Sequence, residues 1–221
     1  MDDTEFTQAA AGLGVELEGR QLDLCRIYER QLQKWAARVR LVSRRDRARI
    51  RQRHLLDCMA AAPHLPGPAN PLLDLGSGAG LPGIPLKIVR PDLQVVLLEP
   101  ARMKVLFLRS VLEELGLAGL EVVRDRAEIL ASHPSWRGRF RLVTCRAVGP
   151  LPAVWALALP LLHPEGTLVA FKGPDAIREF EGFPTEGIDI VRREYCLPVS
   201  GGNRALFLLK ERPLTQSEAE R

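Results

Sequence analysis

Residues 74–83 read DLGSGAGLPG and stand at the end of a short apolar run, Leu72–Leu75. Three glycines at alternate positions predict a sharp turn from a strand into a helix, because glycine adopts backbone angles that side chains exclude. The acid Asp74 precedes the first glycine by two residues, and Leu81 stands where a nicotinamide-binding turn would carry its third glycine. Since glycines also occur in purely structural turns, the neighbouring strands decide whether this turn binds a ligand.

Short apolar runs alternate with helical stretches on the C-terminal side of this turn. The helical pattern is clearest at Arg102–Leu115, where apolar residues recur every three or four positions. Apolar runs without alternation predict parallel strands that are buried on both faces of a sheet. The five predicted parallel strands are Leu72–Leu75, Val95–Glu99, Leu120–Val123, Leu142–Cys145 and Thr167–Phe171.

Two later runs, Ile188–Cys196 and Ala205–Lys210, are separated by a short segment with the turn Gly201-Gly202-Asn203. So short a connection fits an antiparallel hairpin, because parallel strands need a crossover of a dozen residues or more. The sequence therefore predicts an α/β fold whose mostly parallel sheet ends in an antiparallel hairpin.

Helices are predicted on the N-terminal side of the turn. Residues 20–39 carry apolar side chains at helical spacing, and a second helix is predicted from Asp46, a good N-cap, to Ala62. A loop rich in proline and glycine, residues 63–71, follows. We therefore expect an N-terminal helical, arginine-rich extension over residues 1–66, a main domain over 67–211 and a flexible tail over 212–221.

Composition is that of a soluble globular protein. Of the 221 residues, 46% are hydrophobic and 26% are charged, close to the globular average. No apolar run approaches the ~20 residues of a membrane span, and the acidic, polar N-terminus differs from a secretory signal. The four cysteines stand far apart, which argues against a disulfide framework, a zinc site or an iron–sulfur cluster. The sequence therefore predicts a cytoplasmic protein without a bound metal.

Positive charge is concentrated in one segment. Residues 38–53 contain eight arginines and one acid, Asp46, which gives this segment +7 where the whole chain carries +4. Such a block predicts a polyanionic partner such as a nucleic acid, although a solvated arginine-rich helix has the same composition. The arginines predicted to hold phosphates are Arg44, Arg45, Arg47, Arg49, Arg51 and Arg53.

Polar residues follow the ends of the predicted parallel strands. Glu99 closes the second strand, 23 residues after Gly76, and a carboxylate at this offset accepts hydrogen bonds from ribose hydroxyls in doubly wound folds. Residues 126–128 follow the third strand, and Arg146 and Lys172 follow the fourth and fifth. Because ligands bind beyond the carboxyl ends of parallel strands, we expect one binding cleft at this edge.

Several of these stretches together resemble a known family. The glycine turn with an acid at the end of the second strand resembles class I S-adenosylmethionine-dependent methyltransferases, whose Rossmann-like sheet has seven strands and a terminal antiparallel hairpin. The chain more closely resembles the RsmG (GidB) family of bacterial 16S rRNA guanine-N7 methyltransferases. That resemblance covers residues 20–210 and rests on residues 53–57 (RHLLD), 74–86 (DLGSGAGLPGIPL), 126–128 (RAE), 145–147 (CRA) and 172–173 (KG).

The resemblance implies a methyl donor, S-adenosylmethionine, which leaves as S-adenosylhomocysteine. It implies that the partner is small-subunit rRNA or the small ribosomal subunit, and we expect the enzyme to be a monomer. Together with the glycine turn and Glu99, the predicted donor-binding residues are Asp74, Gly76, Ser77, Gly78, Gly80, Leu81, Glu99, Ala127, Glu128 and Arg146.

The implied chemistry needs no catalytic nucleophile or base. Guanine N7 has an exposed lone pair at neutral pH and can attack a sulfonium methyl directly, and Cys145 is expected to be inert, as buried cysteines usually are. We therefore expect positioning residues, and the candidates are Arg146, Lys172, His54 and Asp57. Arg146 and Lys172 would face an RNA phosphate or the O6 edge of guanine. His54 and Asp57 would either close the pocket or fix the extension to the main domain.

Three alternatives remain beside this interpretation. A nicotinamide-dependent oxidoreductase with the same sheet is disfavoured by Leu81. A class I methyltransferase for another RNA, a protein or a small molecule is disfavoured by the +7 segment. A non-catalytic RNA-binding factor on this fold is disfavoured because Asp74, the glycines and Glu99 are all present together.

Overall fold

One seven-stranded sheet forms the centre of the computed structural model, which describes residues 1–67, 69–181, 183, 185–199 and 202–212. The strands are β1 Leu72–Leu75, β2 Val95–Leu98, β3 Leu120–Val123, β4 Phe140–Arg146, β5 Leu162–Lys172, β6 Ile188–Cys196 and β7 Asn203–Glu211. Their order across the sheet is β3-β2-β1-β4-β5-β7-β6. β1 to β5 pair in parallel, and β7 runs antiparallel between β5 and β6. The predicted fold is confirmed, while Gly201 of the predicted turn and residues 213–221 of the predicted tail lie outside the described residues.

The described part of the chain contains seven α-helices. They are α1 Asp3–Ala11, α2 Gly19–Trp35, α3 Leu56–Met59, α4 Gly83–Val89, α5 Arg102–Leu115, α6 Ala127–Ser132 and α7 Leu151–Ala158. The helix predicted over residues 102–115 has the observed bounds, α2 ends before the predicted residue 39, and α1 was not predicted. Within the described ranges, no helix combines the length and the hydropathy that crossing a membrane requires.

The predicted continuous helix from Asp46 to Ala62 is wrong. This segment consists of a 3-10 turn, Arg47–Arg49, a π-helical turn, Arg51–Leu55, and the short α3. Asp46 caps no helix N–H, because its carboxylate accepts hydrogen bonds from a serine and an arginine of its own segment. Side-chain contacts of Asp46 therefore replace the helix N-cap that the sequence predicts. π-Helical turns such as Arg51–Leu55 are frequent at functional sites.

Side chains of the sheet point alternately into two hydrophobic cores. On one face Leu72, Val95 and Leu142 pack with residues of α2, α4 and α5, and on the other face the alternate strand residues pack with α6 and α7. The first core also includes Phe6 of α1 and Tyr28 of α2. The N-terminal helices and the sheet therefore share one core, which fixes the arginine-rich segment to the main sheet.

The loops after β1 to β5 gather at one edge of the sheet, because these strands run in the same direction. β1 lies between β2 and β4, so the strand order reverses between β1 and β4. Open parallel sheets bind ligands at the carboxyl ends of the strands on either side of such a reversal. The glycine turn after β1 and the loop after β4 both lie at this position.

Candidate functional site

The turn after β1 depends on its glycines. Gly76, Gly78 and Gly80 have φ angles of 70°, 57° and 84°, a region in which L side chains are strained. A Cβ on Gly80 would also lie 2.3 Å from Cδ1 of Ile84. The predicted sharp turn is confirmed, and of its three glycines Gly76 and Gly78 are partly exposed while Gly80 is buried.

Asp74 supports this turn from inside the protein. Its side chain is fully buried, Oδ2 accepts a hydrogen bond from the N–H of Gly83 at 3.0 Å, and Oδ1 accepts one from the hydroxyl of Thr144 at 3.4 Å. Burial raises the pKa of Asp74 to about 7. Ser77 and Leu81 are buried as well, and the Ser77 hydroxyl donates to the backbone carbonyl of Asp74 at 2.8 Å. Asp74 and Ser77 therefore hold the turn in place from inside, and the donor contact predicted for these three residues stays a prediction.

Glu99 lies immediately after β2, as predicted, and binds the glycine turn. One carboxylate oxygen accepts a hydrogen bond from the N–H of Gly78 at 2.9 Å, and the other accepts one from the N–H of Ala101 at 2.9 Å. The Lys104 ammonium lies 3.9 Å from the second oxygen. Since a carboxylate has about four acceptor positions, Glu99 retains capacity for the two hydroxyls of a ribose.

A cleft of about 210 Å³ opens at the carboxyl ends of β1 to β4. Three predicted residues, Gly76, Ala127 and Glu128, line it. Arg126, which the strand-end rule also pointed to, lines it as well, and the lining residues not predicted as site residues are Leu75, Leu98, Pro100, Asp125, Val148 and Leu157. Apolar side chains form most of its walls and charged side chains its rim, an arrangement that fits a flat base joined to a polar sugar.

Arg146 ends β4 and lies mostly buried against the π-helical turn. Its guanidinium donates to Sγ of Cys58 at 3.2 Å, pairs with Nδ1 of His54, and lies 3.4 Å from a carboxylate oxygen of Asp57. Burial, followed by the charge of Arg146, lowers the pKa of His54 to about 4. At neutral pH His54 is therefore an uncharged acceptor for the guanidinium. The structure brings together three of the four predicted positioning residues.

Asp57 extends this group to the terminal hairpin. It accepts a hydrogen bond from the Tyr195 hydroxyl at 2.8 Å, and Nε of Arg204 lies 3.6 Å from the same carboxylate oxygen. We call the set His54, Asp57, Cys58, Arg146, Tyr195 and Arg204 the Arg146 cluster. The cluster joins the N-terminal segment, β4 and the hairpin beside the glycine turn, where Tyr28 of α2 also donates its hydroxyl to the carbonyl of Ala79 at 2.5 Å.

Lys172, the fourth predicted positioning residue, lies apart from this cluster. Its ammonium donates to the carbonyl oxygen of Gly149 at 2.6 Å and to the two carboxylate oxygens of Glu179 at 2.7 and 3.0 Å. Glu179 in turn accepts a hydrogen bond from the N–H of Leu151 at 2.6 Å. Lys172 is therefore engaged with the loop that follows β4, and Glu179 is a residue that sequence reasoning missed.

Most of the predicted phosphate-binding arginines lie at the surface. Arg44, Arg45, Arg49 and Arg53 are exposed, and Arg47 is half-buried because it donates to a backbone carbonyl at the end of α2. A depression of about 380 Å³ lies between this segment and the end of α2, lined in part by Arg38, Arg40, Arg44 and Arg47. This surface is charged as the sequence predicted.

Arg51 is different from its neighbours. Nε donates to both carboxylate oxygens of Glu29 at 2.9 Å, and Nη1 donates to Asp3 at 2.6 Å. Its guanidinium also lies 5.2 Å from the centre of the Phe6 ring. The structure does not support the prediction that Arg51 holds RNA, because its guanidinium already pairs with Glu29 and with the partly exposed Asp3.

Cysteine chemistry is suppressed by burial. Burial raises the pKa of Cys58 and of Cys145 to about 12. Neither thiol is ionised at neutral pH, so neither is an effective nucleophile. This agrees with the expectation that Cys145 is inert.

Comparison with known proteins adds to this geometry. Residues 21–203 match the family model described as GidB, rRNA small subunit methyltransferase G. The chain is 35% identical over 207 residues to the ribosomal RNA small subunit methyltransferase G of Geobacter sp. (strain M21), covering 91% of this chain and 94% of that protein. It is 41% identical over 169 residues to the protein of the same name from Chromobacterium violaceum, covering 76% and 78%. Its fold is similar to that of the O-methyltransferase TomG from Streptomyces achromogenes in complex with SAM, with a TM-score of 0.60 at 18% identity over 96% of this chain and 99% of that one.

Proposed function

The chain belongs to the GidB, rRNA small subunit methyltransferase G, family, and on that premise we propose that it methylates N7 of a guanine in small-subunit rRNA. It is a methyltransferase of the class I fold that uses S-adenosylmethionine. The observation that carries the proposal is the meeting of the glycine turn, Glu99 and the 210 Å³ cleft at one edge of the sheet. This edge is where parallel sheets bind nucleoside-bearing ligands.

The chain's own groups fit an adenosine-bearing donor. The apolar walls of the cleft, with Ala127 and Glu128 beside each other, suit the adenine. Glu99 retains acceptor positions for ribose hydroxyls, and the partly exposed Gly76 and Gly78, which carry no side chain, allow the amino-acid end a close approach to the backbone. When bound, the donor supplies a methyl group on a positively charged sulfur. Asp74 keeps the turn in the shape that this binding requires.

Positioning, without covalent catalysis, is the chemistry that these residues support. Guanine N7 needs no base to expose its lone pair, and neither Cys58 nor Cys145 has an ionised thiol at neutral pH. Holding two reactants in line can supply about 7–11 kcal/mol of barrier reduction. We assign Arg146 to the substrate side of the site, where a guanidinium N–H would meet the O6 edge of guanine, and His54 and Asp57 to holding that guanidinium.

The arginine-rich surface supplies the contact with RNA. We propose that Arg44, Arg45, Arg47, Arg49 and Arg53 bind phosphates, because they lie on the segment that the shared core fixes to the sheet. Each such contact releases counterions, so RNA affinity should fall steeply with salt. We also propose that the enzyme is a cytoplasmic monomer, with residues 1–66 as a helical extension of the domain formed by residues 67–211. Light scattering of the protein with and without RNA tests the monomer.

Incubation with labelled S-adenosylmethionine and undermodified small ribosomal subunits tests the function. The rRNA is digested, and the labelled nucleoside is identified by chromatography and mass spectrometry. Labelled 7-methylguanosine is the expected result, and a different labelled nucleoside overturns guanine N7 as the acceptor. If the protein binds the donor but labels neither subunits nor deproteinised rRNA, the acceptor is another RNA or a small molecule. A protein that binds RNA without binding the donor would instead be a non-catalytic RNA-binding factor.

A further inference from the structure

The loop after β4 forms part of the wall of the donor cleft. This β4–α7 loop comprises residues 147–150, and its Val148 lines the cleft together with residues 125–128. The Val148 side chain packs against the glycine turn, since a Cβ on Gly76 would lie 3.0 Å from Cγ2 of Val148. The position of this loop therefore sets the width of the cleft beside Gly76.

The backbone of this loop is under strain. Ala147 has a φ of 56°, which is unfavourable for a residue with a Cβ and persists only where surrounding contacts impose it. The apolar residue Val148 is more than one third exposed, so burial of its own side chain supplies only part of those contacts. Something else must hold residues 147–150 against the glycine turn.

One ion pair holds the loop at two places. The Lys172 ammonium binds the carbonyl oxygen of Gly149, and the Glu179 carboxylate binds both that ammonium and the N–H of Leu151, where α7 begins. The Lys172 side chain is 14% exposed and that of Glu179 is 31% exposed, so the pair is partly shielded from water. Hydrogen bonds to charged groups are among the stronger ones in proteins.

We propose that Lys172 and Glu179 are positioning residues that hold the β4–α7 loop, and so Val148, in the wall of the donor cleft. This assignment rests on the proposed function, because it takes the 210 Å³ cleft as the donor site. It replaces the prediction that Lys172 faces an RNA phosphate or guanine O6. The two roles for Lys172 differ in which ligand loses affinity when the lysine is removed.

Calorimetric titration of the full chain with S-adenosylmethionine, with RNA binding measured in parallel, separates these roles. Lys172→Met should raise the dissociation constant of the donor roughly tenfold, since it removes charged hydrogen bonds that hold the loop. RNA affinity and its dependence on salt should not change. Lys210→Met is the matched control. Lys210 lies on the neighbouring strand β7 and pairs with Thr167 in the middle of β5, away from Lys172 at the end of that strand. This variant should leave both affinities unchanged.

Glu179→Gln gives a second, independent result. It weakens the attachment of the loop without removing the lysine, so donor affinity should fall in the same direction and by a smaller factor. If Lys172 contacted RNA, Glu179→Gln would strengthen RNA binding, because the carboxylate that competes with phosphate for the ammonium would be neutral. Glu179→Gln also decides the matter if Lys172→Met does not fold, as judged by its melting temperature.

Donor affinity within twofold of wild type in both variants overturns the proposal, as does a reduced salt dependence of RNA binding in Lys172→Met. These outcomes are distinct from failure of the proposed function. If wild-type protein does not bind the donor at all, the cleft assignment fails. If it binds the donor but does not label guanine N7, the proposed acceptor is wrong, and the effect of the ion pair on donor affinity is still measured.

Discussion

Replacement of Arg51 by alanine tests the division of the arginine-rich segment into internal and RNA-facing residues. The Arg51 side chain is 13% exposed and its partner Glu29 is 17% exposed. Burial raises the pKa of Glu29 despite the nearby guanidinium, so part of the attraction between them offsets desolvation. Taking about 2 kcal/mol for these charged hydrogen bonds and about 0.5–1 kcal/mol for the contact with Phe6, Arg51→Ala should lower the free energy of unfolding by about 2.5–3 kcal/mol.

Arg49→Ala is the matched control, two residues away. Arg49 is exposed, and its guanidinium makes no hydrogen bond or ion pair within the described residues. Urea unfolding of Arg49→Ala should therefore stay within about 0.5 kcal/mol of wild type. Its RNA affinity should fall, and the slope of log affinity against log salt should decrease by about 1.

The two variants should thus separate stability from RNA binding. Folded Arg51→Ala should keep the wild-type salt slope, because the guanidinium that it lacks was bound to two carboxylates of the protein itself. The reasoning is refuted if Arg51→Ala unfolds like wild type while its salt slope falls by as much as that of Arg49→Ala. That result would mean that Arg51 leaves Glu29 and Asp3 to bind RNA.

Three further predictions concern the glycine turn and the Arg146 cluster. Tyr28→Phe removes the hydrogen bond to the Ala79 carbonyl, so the donor should bind about fivefold more weakly by calorimetry, with RNA affinity unchanged. Gly80→Ala combines a positive φ with a clash and should cost about 2–3 kcal/mol in urea unfolding, whereas Gly116→Ala, with a positive φ and open space around it, should cost about 1 kcal/mol. Burial holds the pKa of His54 at about 4, below its usual 6.5, so the unfolded chain binds more protons between these values and wild type should lose stability on acidification. The difference in unfolding free energy between His54→Gln and wild type should therefore shift in favour of the variant as pH falls from 6.5 to 4, and an unchanged difference would contradict the buried, neutral imidazole.

The sheet could be predicted because its signals are local. Apolar runs marked the five parallel strands, and two later runs with a short connection before β7 marked the hairpin. The bounds of α5 were correct because its apolar stripe ends at Leu115, directly before Gly116, which caps the helix in a left-handed conformation. Helix α1 had a local signal that was overlooked, a capping box formed by Asp2 and Glu5.

The site was predicted less completely because its contacts are distant in sequence. The strand-end rule located Glu99, Arg146 and residues 126–128, and it would also have located Val148, two residues beyond Arg146. It could not show that Asp74 points inward, or that Lys172 binds Glu179 from a 3-10 segment. Net charge likewise could not separate Arg51 from Arg49, because that difference depends on Asp3 and Glu29 of other helices.

The position of β7 has a consequence for how the protein is made. The last strand of the sheet along the chain lies inside it, between β5 and β6, and it carries Arg204, which approaches Asp57. During synthesis, which proceeds from the N-terminus, β5 keeps an open edge until residues 203–211 have left the ribosome, and open strand edges favour aggregation. A nascent chain that stalls before residue 203 would therefore present the glycine turn and the arginine-rich surface together with an unpaired strand. The arrival of β7 closes that edge. It also brings Arg204 to Asp57, the carboxylate that Arg146 contacts.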